Sequence, residues 1–330
     1  MNIPQSHDDL LKELNNFSDL FSAALPKRSE IVRDLIASKG YEIPTRLYHY
    51  TDLDGLRGIL QSNLLWATDA RALNDRTELI YGAALLVSEL EKFSYESNET
   101  ISSALIKLAG FYKEHGNHLL DFFETYVISL SEAPDMLSQW RAYSNQAMGC
   151  CLEFDFSDSR VFTISDGSIP IPLEILPVIY NETTQRALIR SGIEKVLNYL
   201  HSILMEPSEL KLGVITGWVF HAFKPYLMAF KHPGFAEEKE WRVVASCPKT
   251  MATSYKRQRN TGSEQISYTE CLFLQENTEK FWQREILPIT GIKFGPLADD
   301  LIRADVNKWL STHGYEKQAT TSNSCIPLRV

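Results

Sequence analysis

The chain has 330 residues, 44% hydrophobic, 11% aromatic and 23% charged, which gives ample core material and excludes a wholly disordered chain. Its formal charge of −9 argues against a nucleic-acid coat or a polybasic membrane binder and leaves room for a local basic patch. The longest run without Asp, Glu, Lys or Arg, Leu212 to Phe223, covers 12 residues, short of the roughly 20 that a membrane-crossing helix needs.

The N-terminal sequence carries acidic residues where a signal peptide needs a basic start and an apolar run. Cys150, Cys151, Cys247, Cys271 and Cys325 form no CxxC pair and read as reduced thiols, so the expectation is a cytoplasmic protein. Residues 1–40 read as a helical extension of two stretches, HDDLLKELNNFSDLFSAAL and SEIVRDLIASKG, with Pro26 between them and Gly40 as the stop.

A strand is expected from Arg46 to Tyr50. Leu53, Leu56 and Leu60 then mark the apolar stripe of a helix, with Thr51 as its cap and Asp54 at the third helical position. Leu64 to Thr68 reads as the next strand. Asp75 and Glu78 form a capping pattern before a long helix, and a second helix covers residues 100–124. Strands follow at Thr125 to Ser131 and Gly149 to Phe156, with a short helical or irregular piece, Ser138 to Ser144, between them. LEILPVIY reads as a strand, and residues 184–230 as helix broken at Pro207 and Gly217. Glu238 to Ser246 is a strand, Lys256 to Arg259 (KRQR) lies in a polar loop, and short strands lie near SYTECLFL, EILPI and GIKFG. No fixed-period repeat appears. The expectation is an α+β fold: one domain over 41–330 with a mixed sheet core and a helical insertion near 184–230.

The dinucleotide, P-loop, zincin and α/β-hydrolase signatures are all missing. His115, His118 and Asp121 share a helical spacing, but a solvated face explains them better than a metal site. Adjacent Cys150 and Cys151 on a strand point to opposite faces, one a buried small hydrophobe and the other on the far side.

Three constellations carry more. Tyr48, His49, Tyr50 and Thr51 end a strand where a capped helix begins, so side chains and backbone N–H groups there are available to an anionic ligand. Trp140, Arg141 and Tyr143 lie between two strands, where exposed aromatics suit stacking on a flat ring. Strand alternation puts Glu238, Glu240 and Arg242 on one face, with Trp241 and Val243 on the other. Each has a plainer reading: a hydrogen-bonded histidine, a core tryptophan, a solvated edge strand.

The series LYHYTDLDGLRGIL, LLWATDARALNDRTE, SLSEAPDMLSQWRAYSNQAMGCCLEF, FKHPGFAEEKEWRVV and IKFGPLADD resembles the bacterial family called domain of unknown function 2971, from about Leu47 to the C-terminus. The family's Asn-Asp pair with a following Glu falls on Asn74, Asp75 and Glu78, with Arg76 where Pro is common. A strand ending in His-x-Thr, an intermediate aromatic and a late-strand Glu are more distantly similar to ADP-ribosyltransferases, the DNA- and RNA-modifying members above all. That resemblance implies NAD as substrate and no metal. It implies His49 and Thr51 on the adenosine ribose, and Tyr143 with Trp140 on the nicotinamide. Glu240 would stabilise the oxocarbenium-like transition state, and it is preferred to Glu238 because it lies deeper in the strand. A macromolecular acceptor, protein or nucleic acid, is implied, in toxin or phage defence. Two rivals remain: a metal-dependent hydrolase or nuclease using His49, Glu238 and Glu240, and a silent binding module using Trp140, Tyr143 and Arg242.

Overall fold

The structure is a computed structural model that describes residues 29–40, 42–73, 77–115, 123–157, 161–164, 171–203, 222–248, 255–261, 264–276 and 282–328. The first N-terminal helical stretch, Asn74, Asp75, His118, Asp121, Pro207 and Gly217 lie outside them, as do the side chains of Glu78, His115 and Cys247.

In chain order the first strands are β1 (Arg46–Thr51), β2 (Leu65–Asp69), β3 (Phe123–Ser131), β4 (Cys150–Asp155), β5 (Val161–Ile164), β6 (Ile171–Pro172) and β7 (Glu174–Pro177). They are followed by β8 (Glu240–Pro248), β9 (Lys256–Thr261), β10 (Glu264–Glu276), β11 (Trp282–Arg284), β12 (Ile289–Phe294) and β13 (Thr320–Asn323). The helices are α1 (29–37), α2 (Leu53–Ser62), α3 (Thr77–Tyr95), α4 (Glu99–His115), α5 (Leu137–Tyr143), α6 (Glu182–Ile203), α7 (222–229) and α8 (Asp300–Thr312). Helices with a mixed sheet make this an α+β fold. Among the described residues no helix is long and apolar enough to cross a membrane.

The chain divides into two compact units that interleave along the sequence. One, mainly helical, takes residues 1–42, 74–123 and 176–235; the other, mainly sheet, takes 43–73, 124–175 and 236–330. This grouping differs from the expected boundary at residue 40 with one domain beyond it, because the 74–123 helices and the 184–230 insertion cluster with the N-terminal segment.

In the sheet unit the strand order is β13-β12-β4-β1-β3-β2-β10-β5-β6. β1 pairs with β4 along its whole length, from Arg46 opposite Asp155 to Thr51 opposite Cys150. β12 lies antiparallel on the other edge of β4, and β13 runs parallel to β12. β4 is flanked on both edges and covered on both faces, so Cys150, Cys151, Leu152 and Phe154 are all at most 1% exposed. As successive strand residues the two cysteines point to opposite faces, and both faces are covered. Trp140, Trp241, Tyr126, Tyr315, Phe154 and Phe273 are the largest side chains fully buried here. Each Phe-sized burial stabilises by about 1.5–3 kcal/mol.

Helix α2 buries Leu56 and Leu60, as its stripe requires. Its cap is Asp52, which accepts from the Gly55 N–H at 2.7 Å. Thr51, the expected cap, is still in the ladder opposite Cys150. The helix ends on Asn63 in the left-handed region, φ 53°. The Asn63 Oδ1 accepts from Leu287 N at 2.8 Å and from the Tyr315 hydroxyl at 2.6 Å, so this short cap also anchors β12 and the segment after α8.

KRQR is a strand and not a loop. β9 pairs with β10 from Lys256 opposite Thr269 to Thr261 opposite Glu264. Pairing disposes its charges locally: the Arg259 guanidinium lies 5.7 Å from the Trp66 ring centroid and 5.9 Å from that of Tyr268. Lys256 reaches Glu124 at 3.2 Å.

In the helical unit, α3 packs against α4 and α6. Glu89, 1% exposed, projects from α3 and accepts from Lys92 at 2.8 Å, Arg186 at 2.7 Å and Arg190 at 3.1 Å. A buried carboxylate with three cationic donors is the satisfied form of an otherwise costly group.

Candidate active site

Strands β1 and β3 meet in register only at Tyr48 opposite Ser131 and then separate. Beyond that point it is the His49 side chain that links β1 to β3. Its Nδ1 lies 3.0 Å from the Ser129 carbonyl oxygen. A carbonyl only accepts, so Nδ1 carries the proton, and in the neutral ring Nε2 is an acceptor. Burial holds the His49 pKa below its ordinary value, against the opposing effect of the Ser129 bond.

Beyond β3 the chain turns into α5 through residues pinned by Tyr50. The Tyr50 hydroxyl donates to the Ala133 carbonyl at 2.7 Å and accepts from Met136 N at 3.0 Å. Burial pushes its pKa upward. Trp140, completely buried, stands edge-on to Tyr50 with centroids 4.8 Å apart, and its Nε1 donates to Asp135 at 2.7 Å. Asp135 also accepts from Ser324 Oγ at 2.6 Å and Cys325 N at 2.7 Å. Burial alone would raise its pKa, but the bonds from Ser324, Cys325 and Trp140 bring it below the ordinary value. Trp140 is thus a core residue that fixes α5, and the expectation of a stacking face there is corrected.

After α5, Asn145, Gln146 and Ala147 occupy the left-handed region in succession, at φ 46°, 55° and 73°. Such residues cost about 1–2 kcal/mol each. The turn is held by Ala147 N on the Trp140 carbonyl at 3.1 Å, Gly149 N on the Ser144 carbonyl at 2.8 Å and Leu297 N on the Ala147 carbonyl at 3.1 Å. Gly149 is obligatory, since a Cβ there would sit 2.2 Å from the Thr51 carbonyl oxygen. This is the physical content of the W-x-x-Y then G pattern: a tight reversal that leaves Tyr143 half-buried at the edge of the core.

β8 forms the far wall. Its first residue, Glu240, is 5% exposed and meets Arg242 in a bidentate pair, Nε to Oε1 at 2.8 Å and Nη2 to Oε2 at 2.9 Å. Two residues apart on a strand, they share a face, as alternation requires. Glu238 does not belong to that strand. It ends the 3-10 turn Pro233–Glu238, and Lys239, with φ 45°, breaks the alternation before β8 begins. The break is stitched to the end of β3 by Ser131 Oγ donating to the Glu238 carbonyl at 2.7 Å and Glu132 N to the Lys239 carbonyl at 3.0 Å. Trp241 points the other way and donates to Glu132 at 2.6 Å.

These elements form an open cleft lined by Tyr48, His49, Tyr50, Ser129, Leu130, Gln139, Tyr143, Glu238 and Glu240. All nine belong to the sheet unit. No lysine or arginine is among them; the lining carries the carboxylates of Glu238 and Glu240, and Arg242 pairs with Glu240 from behind it. Tyr48 faces Glu153 across the ladder; burial first, then the Glu153 charge, raises its pKa.

His49, Tyr48, Tyr143, Glu238 and Glu240 are therefore brought together from three separate stretches of sequence. Thr51, Trp140 and Arg242 do not line the cleft: Thr51 is in the β1–β4 ladder, Trp140 is in the core, and Arg242, 3% exposed, backs Glu240. Among the described residues no group of three His, Cys, Asp or Glu side chains is disposed to hold a metal ion. Gln139 and Ser129 were not anticipated. Gln139 adjoins the W-x-x-Y motif, but helical spacing alone does not separate it from a solvated residue.

A family model described as protein of unknown function (DUF2971) matches residues 139–243. The match covers about a third of the chain, running from Gln139 in α5 to Val243 in β8, and supports the resemblance read from the motifs. It includes Tyr143, Glu238, Glu240 and Arg242, whereas YHYT and LWAT lie outside it. No match was found among curated proteins or among solved structures.

Proposed function

We propose that the cleft is the site of an ADP-ribosyltransferase-like enzyme, which breaks the N-glycosidic bond of NAD and passes the ribosyl group to a macromolecular acceptor. The observation that carries this reading is the shared cleft of His49, Tyr143 and Glu240, with Glu240 held by Arg242. Cleavage toward a cationic leaving group needs little acid catalysis. It needs a fixed anion beside developing positive charge, where preorganised electrostatics supplies the largest contribution. The Glu240 carboxylate meets that need, and its rotamer is locked.

In the proposed step the bond between ribose C1′ and the pyridinium nitrogen breaks, and its electron pair leaves with neutral nicotinamide. Glu240 accepts the 2′-hydroxyl and stabilises the oxocarbenium-like ribosyl. The acceptor's lone pair then forms the new bond to C1′, and its proton passes to Glu238, which is less buried and outside the strand. Tyr143 walls the ring, and His49 Nε2 accepts from a sugar hydroxyl. Thr51 has no part in this cleft. The absence of Lys and Arg from the described lining fits a sugar bearing a positively charged ring; the diphosphate would lie outside it. The family resemblance adds bacterial toxin or phage defence as context. Cys150, Cys151, Cys271 and Cys325 are free thiols, in keeping with a cytoplasmic setting.

The test is nicotinamide release from NAD by the full chain and by Glu240→Gln. A loss of at least about 100-fold in the variant is expected, the scale of removing one preorganised electrostatic group. Equal rates in the two proteins would move the chemistry elsewhere.

A further inference from the structure

Strands β2, β10 and β9 share a face that takes no part in the cleft. Register places Trp66 opposite Glu270, Tyr268 between Thr68 and Arg257, and Arg259 opposite Ile266, so these side chains stand on one side of the sheet. Trp66 is 41% exposed and lies against Tyr268, with ring centroids 4.5 Å apart and planes at 31°. The Arg259 guanidinium sits beside both rings, and its Nη2 donates to Thr68 Oγ1 at 3.2 Å. Its Nε is buried without a hydrogen-bond partner, and no carboxylate among the described residues pairs with it. The other two cations of β9 are engaged: Lys256 meets Glu124 at 3.2 Å and Arg257 meets Glu270 at 3.9 Å.

A guanidinium held by two ring faces and one neutral hydroxyl is short of a counter-charge, and its planar N–H groups match a phosphate. An exposed indole already backed by a second ring offers a preset flat surface to a third. A nucleic-acid strand with unstacked bases repeats both complements, a flat ring and a phosphate, at every unit. A duplex hides its base faces, and an acidic peptide satisfies Arg259 while leaving Trp66 bare. Of the carboxylates on this face, Glu270 is offset by Arg257, and Glu264 lies at the far end of the β9–β10 pairing, opposite Thr261. The formal charge of −9 works against polyanion binding over the rest of the chain, so attraction is confined to a local face. We infer that the Trp66, Tyr268 and Arg259 face binds single-stranded nucleic acid, with a base on Trp66 and a phosphate on Arg259. None of its strands lines the cleft, so binding here and nicotinamide release there succeed or fail separately.

The test is fluorescence polarisation of a labelled oligothymidylate of about 12 nucleotides, within the span of known single-strand sites, titrated with the full chain over a range of salt. Wild type should bind it more tightly than a duplex of the same length, and less tightly as salt rises. Trp66→Leu keeps apolar bulk and removes the ring, so affinity should fall about 5- to 150-fold, the worth of one base–aromatic stack. Arg259→Gln should reduce the slope of log affinity against log salt by about 0.7, the signature of one lost phosphate contact on a single strand. Arg259→Lys, which keeps the charge, should retain the slope. An arginine with a purely structural role would leave that slope unchanged in all three proteins. Should Trp66→Leu fail to fold, the slope in Arg259→Gln decides alone. No binding by wild type, equal affinity for the duplex, or an unchanged slope in Arg259→Gln overturns the inference. So does tighter binding of oligoglutamate that is lost in Arg259→Gln, since the face would then be a receptor for acidic peptide.

Discussion

Glu240 and Arg242 form one unit, and their energetics differ from those of either residue alone. Truncating one partner of a buried ion pair leaves an uncompensated charge and costs about 3–5 kcal/mol, whereas replacing both with neutral groups of similar volume is often tolerated. Arg242→Met should therefore be strongly destabilised in urea titrations, and the Glu240→Gln, Arg242→Met double variant should recover much of that stability without recovering nicotinamide release. A double variant as unstable as the single would show that Arg242 is held chiefly by contacts other than Glu240. His49 makes a pH prediction. Its folded pKa is depressed below 6.5, so as pH falls the unfolded chain takes up the proton first. The His49 contribution to stability is complete above pH 6.5 and is lost as pH falls through the folded value. Protonation also removes the Nε2 acceptor, so turnover should fall over the same acidic limb. Thermal melts and rates from pH 5 to 8 should show that limb in wild type and lose it in His49→Gln.

At the scale of elements, α5 shows how far the sequence could be read. The strands at YHYT, LWAT and EWRVV follow from alternation, and α2 from its leucine stripe, because one period decides each. Trp140 and Tyr143 stand three apart on α5, and only the packing of Tyr50 and Asp135 determines that the first is buried and the second faces the cleft. Nothing in their spacing contains that information. Glu238 escaped for a related reason: the period of two was extended across Lys239, whose left-handed backbone resets it. Helix α8 and strand β13 had no expectation at all, although Asp299 caps α8 by accepting from Ile302 N at 2.8 Å, a signal visible in ADDLIR. The division of labour on α5 is testable. Trp140→Ala should lose about 3–5 kcal/mol by cavity formation. Tyr143→Ala should lose far less stability and instead raise the KM for NAD. Similar melting temperatures for the two variants would remove the distinction between anchor and wall.

For the whole molecule, the candidate site is drawn from β1, β3, α5 and the start of β8, yet it lies within one unit because the units interleave. Sequence order conceals this: a cut at any residue between Tyr48 and Glu240 would sever the site, and only long-range contacts reveal that the helical segments group together. Each unit carries a carboxylate whose pKa is depressed by hydrogen bonds that outweigh burial, Glu89 in the helical unit and Asp135 in the sheet unit. For both, the unfolded chain binds its proton at higher pH than the folded one, so stability rises with pH across the interval. The contribution is complete above ordinary values of 4.5 for Glu89 and 3.8 for Asp135, and it is lost as pH falls through the folded values. Hydrogen exchange followed by peptide mass between pH 5 and 3 can resolve the two. Glu89→Gln should weaken protection at pH 5 in peptides of α3 and α6 and flatten their pH dependence, while those of β1, β4 and α5 keep the wild-type profile. Asp135→Asn should do the opposite. If either variant altered both sets of peptides equally, the units would unfold as one, and the acid sensitivity of the cleft would belong to the whole chain.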